Sequence, residues 1–174
     1  MQLVKPCIKY KKSFIEAVKE FQAVDDGLRF RHAHNINISE VENNFDKYLQ
    51  KLQNKEEVIG LEKGYVSASA LWLVDGEEVV GLVSLRHKLN ENLLKIGGHI
   101  GYGIKPSKRK MGYGKKILEL ALKEAKKFGI NKALLICDDE NVGSAKIIER
   151  NGGMLEKKIE AEGKLKRRYW IENK

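Results

Sequence analysis

Hydrophobic residues recur along this chain in two periods, and the change from one to the other divides it. In residues 11–22 the apolar positions Phe14, Val18 and Phe21 fall at helical spacing among lysines and glutamates, which predicts an amphipathic helix. Residues 25–37 hold no period and read as a loop. Ser39, with Glu42 three residues on, has the form of a capping box for a helix carrying Val41, Phe45, Tyr48, Leu49 and Leu52. After Gly64 the apolar residues gather into β-rich runs. Residues 70–74 and 79–85, parted by Asp75, Gly76, Glu77 and Glu78, predict a hairpin. A third run, 93–104, follows a polar turn at Asn90-Glu91-Asn92 and extends the meander. Its glycines Gly97, Gly98, Gly101 and Gly103 predict a bulge or a close approach of backbone to a ligand.

Helical spacing returns in residues 112–128, where Ile117, Leu118, Ala121, Leu122 and Ala125 share a face and Gly129 stands at the C-terminal cap position. The continuous apolar run 133–137 suits a strand covered on both faces. Residues 142–151 predict a further helix, stopped by Gly152-Gly153, and 154–160 and 165–171 a last pair of strands around Glu162-Gly163. The fold class is therefore α/β with a mixed sheet: helices, an antiparallel meander, then β-α-β-α-β-β with one crossover. At 174 residues the chain makes a single domain, 1–174, with a helical part over 1–64 and a strand-rich part over 65–174.

Composition narrows the function classes. No apolar stretch approaches the roughly 20 residues that cross a bilayer, and the segment from Met1 to Pro6 has no secretory character, so a cytoplasmic protein without membrane contact is expected. Lys and Arg number 33 against 24 Asp and Glu, a net charge of +9, which suits an anionic partner: nucleic acid, an acidic membrane surface or a phosphate-bearing small molecule. Cys7 and Cys137 match no metal or redox spacing and read as reduced, mostly buried thiols, and the four histidines form no HExxH set, so no metal is expected.

The chemistry concentrates in residues 103–115, where a strand passes through a basic, glycine-punctuated loop into the long helix. The first amides of a helix lack intrahelical partners, and with Lys108, Arg109, Lys110 and Lys115 nearby they make an anion site, with a diphosphate as the natural guest. Gly112 and Gly114 would leave those amides open to it. A Walker loop is excluded because Arg109 stands at its first glycine and Lys116 follows Lys115, and the dinucleotide fingerprint fails at Ile117. What remains is Arg-x-x-Gly-x-Gly over Arg109, Lys110, Met111, Gly112, Tyr113 and Gly114.

With that loop the chain resembles the GNAT superfamily of acyl-CoA-dependent N-acyltransferases, from about Trp72 to Trp170. Ile104-Lys105-Pro106 is similar to the family's Val-x-Pro, Asn141-Val142-Gly143-Ser144 to its Asn-x-x-Ser/Ala helix start, and Asn151-Gly152-Gly153-Met154 to the turn after that helix. The resemblance implies a sheet splayed between its fourth and fifth strands, with acetyl-CoA as cosubstrate wedged in the opening. The backbone of Tyr102 and Ile104 would pair with the pantetheine. Arg109 and amides from Lys110, Met111, Gly112, Tyr113, Gly114 and Lys115 would take the pyrophosphate, and Asn141 and Ser144 would border the arm. A bulge among the strand glycines would aim an N–H at the thioester carbonyl.

The implied reaction is direct transfer of an acetyl group to a primary amine of a small molecule, peptide or protein. An amine of pKa about 10.4 is protonated at neutral pH, at a cost of roughly 4–5 kcal/mol to expose its lone pair, so a general base is sought. His99 is the first candidate and Asp138 or Asp139, at the end of the fifth strand, the second; His87 is a third, placed with Arg86 on the substrate side, where Arg86 would meet an acidic group. The family's acid tyrosine is replaced by Ile148, leaving Tyr102 as a substitute donor to the departing thiolate. The acceptor pocket falls to the first two helices and their loop, with Arg29, Arg31, His32 and His34. Two rivals stand beside this reading: a CoA-binding regulatory module without turnover, and a basic RNA- or ribosome-associated protein drawing on the tail 164–170. Oligomeric state is left open, a dimer included.

Overall fold

The computed structural model describes residues 1–24, 30–60 and 64–173. In chain order they form β1 (Gln2–Val4), α1 (Lys11–Ala23), α2 (Arg31–His34), α3 (Ile38–Asn43), α4 (Phe45–Glu57), β2 (Ala68–Asp75), β3 (Glu78–Arg86), β4 (Ile100–Ile104), α5 (Tyr113–Lys127), β5 (Lys132–Asp138), α6 (Val142–Arg150), β6 (Met154–Ala161) and β7 (Lys164–Glu172). The strands make two antiparallel sheets, β1-β2-β3-β4 and β5-β7-β6. The mixed α/β architecture is the one the periodicity implies. β1 was hidden from it, three residues too short to show alternation, yet Leu3 pairs with Leu73 and Val4 with Trp72.

Alternation along β2 and β3 sends residues to two cores. Leu71, Leu73 and Leu85 pack with Ile117, Leu118, Ala121 and Leu122 of α5. Trp72, Val74 and Leu82 face the other way, onto Phe14, Val18 and Phe21 of α1 and Phe45 of α4, and the Phe14 ring stacks on Trp72 at 4.3 Å. Every one of these helices therefore owes its place to one apolar stripe.

Three local expectations are corrected. Residues 31–34 of the expected loop are one helical turn; its earlier part, residues 25–29 with Arg29, lies outside the described residues. The single helix capped by Ser39 is two helices, because Asn44 at φ −144° breaks the run; Asn37 caps α3 by accepting from the Glu40 N–H, and Asn44 caps α4 by accepting from Lys47. The third strand begins only at Ile100. Upstream, Leu93–Gly97 is a π-helical turn whose carbonyls are taken by arginines: Arg86 donates to Gly97 and Gly98, and Arg168 to Leu94 and Lys95.

Gly98 and His99 then clasp the two sheets. The His99 N–H donates to Leu134 O at 2.7 Å, and the Leu134 N–H donates to His99 Nδ1 at 2.9 Å. A side chain at Gly98 would put its Cβ 2.6 Å from Leu134 O, and φ there is +69°, so only glycine allows this approach. Beyond the clasp β4 and β5 are not paired, and the sheet opens between the fourth and fifth strands.

Candidate active site

The opening is lined on one side by a free strand edge. Lys105 N–H donates to Val80 O and Arg86 N–H to His99 O, so the alternating ladder turns Gly101 and Gly103 toward β3 and leaves the backbone groups of Tyr102 and Ile104 facing the cleft. β3 and β4 hold an unbroken register from Gly81↔Ile104 to Leu85↔Ile100, so the glycines make no bulge there. They make room: a Cβ at Gly103 would stand 2.9 Å from Phe30 Cγ, and one at Gly101 would stand 3.9 Å from His32 Cε1. The close approach is by the turn α2, not by a ligand.

Across the opening, the Tyr102 hydroxyl lies 3.1 Å from Ser144 Oγ at the start of α6, and burial pushes the phenol above its usual range, keeping it a donor. Asn141 spends its side-chain oxygen on the Ser144 N–H at 2.9 Å as the α6 cap, so only its NH₂ remains for a guest. Cys137 is buried beside them, its thiol raised to about 11 mainly by burial, and is a free thiol as expected, while Cys7 is half-buried.

The loop into α5 has the exposed amides that the motif implies. Lys110 and Gly112 both adopt positive φ, 63° and 86°, and no hydrogen bond among the described residues engages the N–H of Met111, Gly112, Tyr113 or Gly114. Nothing lies within 4 Å of a Cβ at Gly112. These donors fit a diphosphate. Gly114 also serves packing, since its Cβ would meet Ile147 Cδ1 at 2.5 Å. Lys108 is turned away, 2.6 Å from Glu78, in a cluster where buried Lys105 joins Glu20 and Glu78. Arg109 donates to Ile104 O at 3.4 Å, Met111 is exposed, Lys115 donates its N–H to Gly112 O, and Tyr113 packs inward with its hydroxyl on Asp75 at 2.7 Å.

On the opposite face of β2–β4, under α2–α4, lies a cavity of about 650 Å³ whose lining includes Ala68, Ala70, Ser84, Arg86, Phe30 and His32. Small residues on the strands leave the space, and Gln22 holds the α2 turn over it by donating to the carbonyls of Ala33 and Ile36. The His32 ring stacks on Phe30 at 5.2 Å and opens to the cavity on its other side. Desolvation of the ring against the cavity wall, then Arg86 and Lys55, lower its pKa to about 4 although the residue as a whole is exposed, and neither ring nitrogen is engaged by a described residue. The sequence places His32 with Arg29, Arg31 and His34 in the acceptor-side loop, with no motif that singles it out.

Other candidates sit elsewhere. His99 accepts from Leu134 at Nδ1, which places the proton of the neutral ring on Nε2 and leaves no free lone pair; burial and then Arg86 lower its pKa. His87 is not brought to the cavity. It follows Arg86 on an extended strand and so points to the other face, where it bonds Ser67 and Ser69 and stacks on Phe128 at 3.8 Å. Asp138 pairs with Lys166 at 2.9 Å, and Asp139 is held below the usual carboxylate range by Lys158 and Arg167. Ile148 is 1% exposed within the α5 core and does not border the cleft. Arg31 lines the cavity but is spent on Glu162 through two bonds of 3.2 and 2.9 Å, and His34 is turned from the lining.

Comparison with known proteins places this architecture. The family model for the acetyltransferase (GNAT) domain matches residues 16–154. Among solved structures, the microcin C7 self-immunity acetyltransferase MccE, in complex with acetyl-CoA and AMP, superposes with a TM-score of 0.66 at 18% identity, covering 97% of this chain and 89% of that one. The ribosomal α-N-protein acetyltransferase RimL, in complex with coenzyme A, gives 0.65 at 18%, covering 100% and 97%. A chimera of the spermidine N-acetyltransferase SpeG from Vibrio cholerae with hSSAT gives 0.63 at 14%, covering 98% and 95%. No curated protein matches the sequence. The chain belongs to the GNAT acetyltransferase family, a class of acyl-CoA-dependent acyltransferases. Among its described residues no cluster could hold a metal ion and no helix is long and apolar enough to cross a membrane.

Proposed function

We propose that the protein is an N-acetyltransferase that moves the acetyl group of acetyl-CoA to a primary amine entering from the cavity beneath α2–α4. The observation that carries this reading is β4 itself: one edge offers the backbone of Tyr102 and Ile104 to the cleft, while on its face Gly101 lies against Phe30 and His32, two residues that line the cavity. Donor and acceptor would meet at one strand. The unengaged amides of Met111 to Gly114 would hold the pyrophosphate of the donor, and the edge of β4 its pantetheine arm.

In the transfer the ammonium first loses a proton to expose its lone pair, and the amine nitrogen attacks the thioester carbonyl. The C–N bond forms, the C–S bond breaks to release the CoA thiolate, which takes up a proton to leave as the thiol, and the nitrogen gives up a second proton as the amide forms. His32 is the group we assign to that proton, since its imidazole is neutral at working pH, has nitrogens that no described residue engages, and lies against Gly101. The Tyr102 hydroxyl, kept protonated by burial, is placed to donate toward the leaving thiolate. His99 then holds the vertex of the cleft instead of serving as base.

The test is to titrate the protein with CoA and then follow thiol release from acetyl-CoA over a panel of amines. Binding with amine-dependent release supports transfer; binding with release that no amine stimulates would favour the regulatory module instead.

A further inference from the structure

Resting on the transferase reading, we infer that the acceptor is an amine carrying an anionic group, carboxylate or phosphate, at the far end of a short apolar body, and that Arg86 binds that anion. The Arg86 side chain reaches the cavity from the end of β3, fixed by Nη1 to the carbonyls of Gly97 and Gly98 at 3.2 and 2.9 Å. No carboxylate among the described residues pairs with it. Nη1 is thus held by neutral groups and no described carboxylate compensates the charge, the arrangement that suits a bidentate acid on the remaining N–H groups.

The remaining lining supports the same class. Lys51 and Lys55 also border the cavity without a carboxylate partner among the described residues, whereas Arg31 is neutralised by Glu162. Glu40 is the one acidic residue in the described lining. A polyamine would bring further positive charge into this field. Between the Ser84 row and Arg86 the strand face carries only Ala70 and Ala68, with Phe30, Trp72 and Leu82 lining the cavity on the other side of Ser84, so an uncharged middle meets no polar side chain of β2 there.

Geometry sets the length. Ser84 pairs with Gly101 across the ladder, at the point where His32 lies, and Arg86 is two residues farther along β3 on the same face. Two residues of strand span about 7 Å. The backbone points that carry the two sites are thus about a ring's length apart, and a short body joins the amine to the acid. Burial lowers the pKa of Arg86, in keeping with a cation that lacks a counter-ion. An arriving acid would compensate that charge and relieve its push on His32, raising the basicity of the imidazole only when the acceptor is in place.

Four probes test this: 4-(aminomethyl)benzoate, 4-(aminomethyl)phenyl phosphate, the neutral 4-(aminomethyl)benzamide and spermidine. In the wild-type protein kcat/KM for an anionic probe should exceed that for the benzamide by about tenfold or more, with spermidine lowest; the carboxylate and phosphate arms show which acid is preferred. The ratio of anionic to neutral probe should fall to within about twofold in Arg86→Gln and be partly kept in Arg86→Lys, a readout that general loss of activity does not mimic. Preference for the benzamide or spermidine, or an unchanged ratio in Arg86→Gln, overturns the inference. If no probe is acetylated although CoA binds, the transferase reading fails separately. The same ratio is then taken from equilibrium binding of the four probes to the CoA-loaded protein, where equal affinities for benzoate and benzamide overturn the anion site and tighter benzoate binding supports it.

Discussion

The two sides of β4 are built by different means. On the cleft side the groups offered to a guest are backbone: the N–H and C=O of Tyr102 and Ile104, and the first amides of α5. On the cavity side they are side chains brought from α2, α4, β2 and β3, held by contacts such as Gln22 on the α2 carbonyls. A backbone site depends on chain conformation and survives most changes of side chain, whereas a side-chain cavity is remade by each substitution. One strand can therefore keep a constant donor while the acceptor varies.

The largest effect separating the two sides is expected at the histidines. His32→Gln should lower kcat by about 10²–10⁴ and leave CoA affinity nearly unchanged. Because the His32 pKa is lowered to about 4, its acid limb in kcat/KM should lie below pH 6, with any rise at higher pH set by the amine. A limb at pH 6–7.5 that His99→Gln abolishes, with normal turnover in His32→Gln, would return the base to the clasp.

Next comes the backbone site. Gly112→Asp places a carboxylate at the α5 N-terminus, where there is room for it and φ is +86°. The dissociation constant for CoA should rise about 100-fold, roughly 2.7 kcal/mol, while anionic probes at the cavity bind as before. Equal weakening of both would mean that the mutation disturbs the whole cleft.

His99→Ala should act on stability. It leaves the fully buried Leu134 N–H without its acceptor, at a cost of about 1–3 kcal/mol in denaturant unfolding. The folded pKa of His99 is depressed, so the unfolded chain binds its proton more readily. Its contribution is present above the ordinary value near 6.5 and falls away as pH drops below that. The variant should therefore lose less stability than wild type on acidification; a parallel fall would show that the imidazole titrates alike in both states.

The smallest effect concerns Ile148, where the family often carries a tyrosine. Ile148 is 1% exposed in a filled core, so a ring there would have to displace its neighbours. Ile148→Tyr should cost about 1–3 kcal/mol by overpacking without adding an acid to the cleft. A gain in turnover with unchanged stability would show that the ring reaches the thiolate after all.

Legibility followed the range of the interactions. The Arg109–Gly114 loop, the Asn141 cap and the hairpin of β2 and β3 are set within a few residues by positive φ, capping oxygens and alternation, so the pattern reveals them directly. Asn44 was read as an ordinary helix position because its capping bond competes with helix continuation on nearly equal terms. The run 93–104 looked like strand because arginines from β3 and β7, remote in sequence, decide where its carbonyls go.

The sequence by itself determined the family and the α/β class, because each rests on short-range periodicity or on a motif at one chain junction. Tertiary structure alone decided which histidine is tied and, among the described residues, which histidine and which arginine meet no partner that consumes them. His99 loses its lone pair to Leu134, 35 positions away, and Arg31 loses its charge to Glu162, 131 positions away, while His32 and Arg86 meet no described acid. Chemical availability depends on what neighbours consume, and these neighbours are assembled only when the sheets and helices pack.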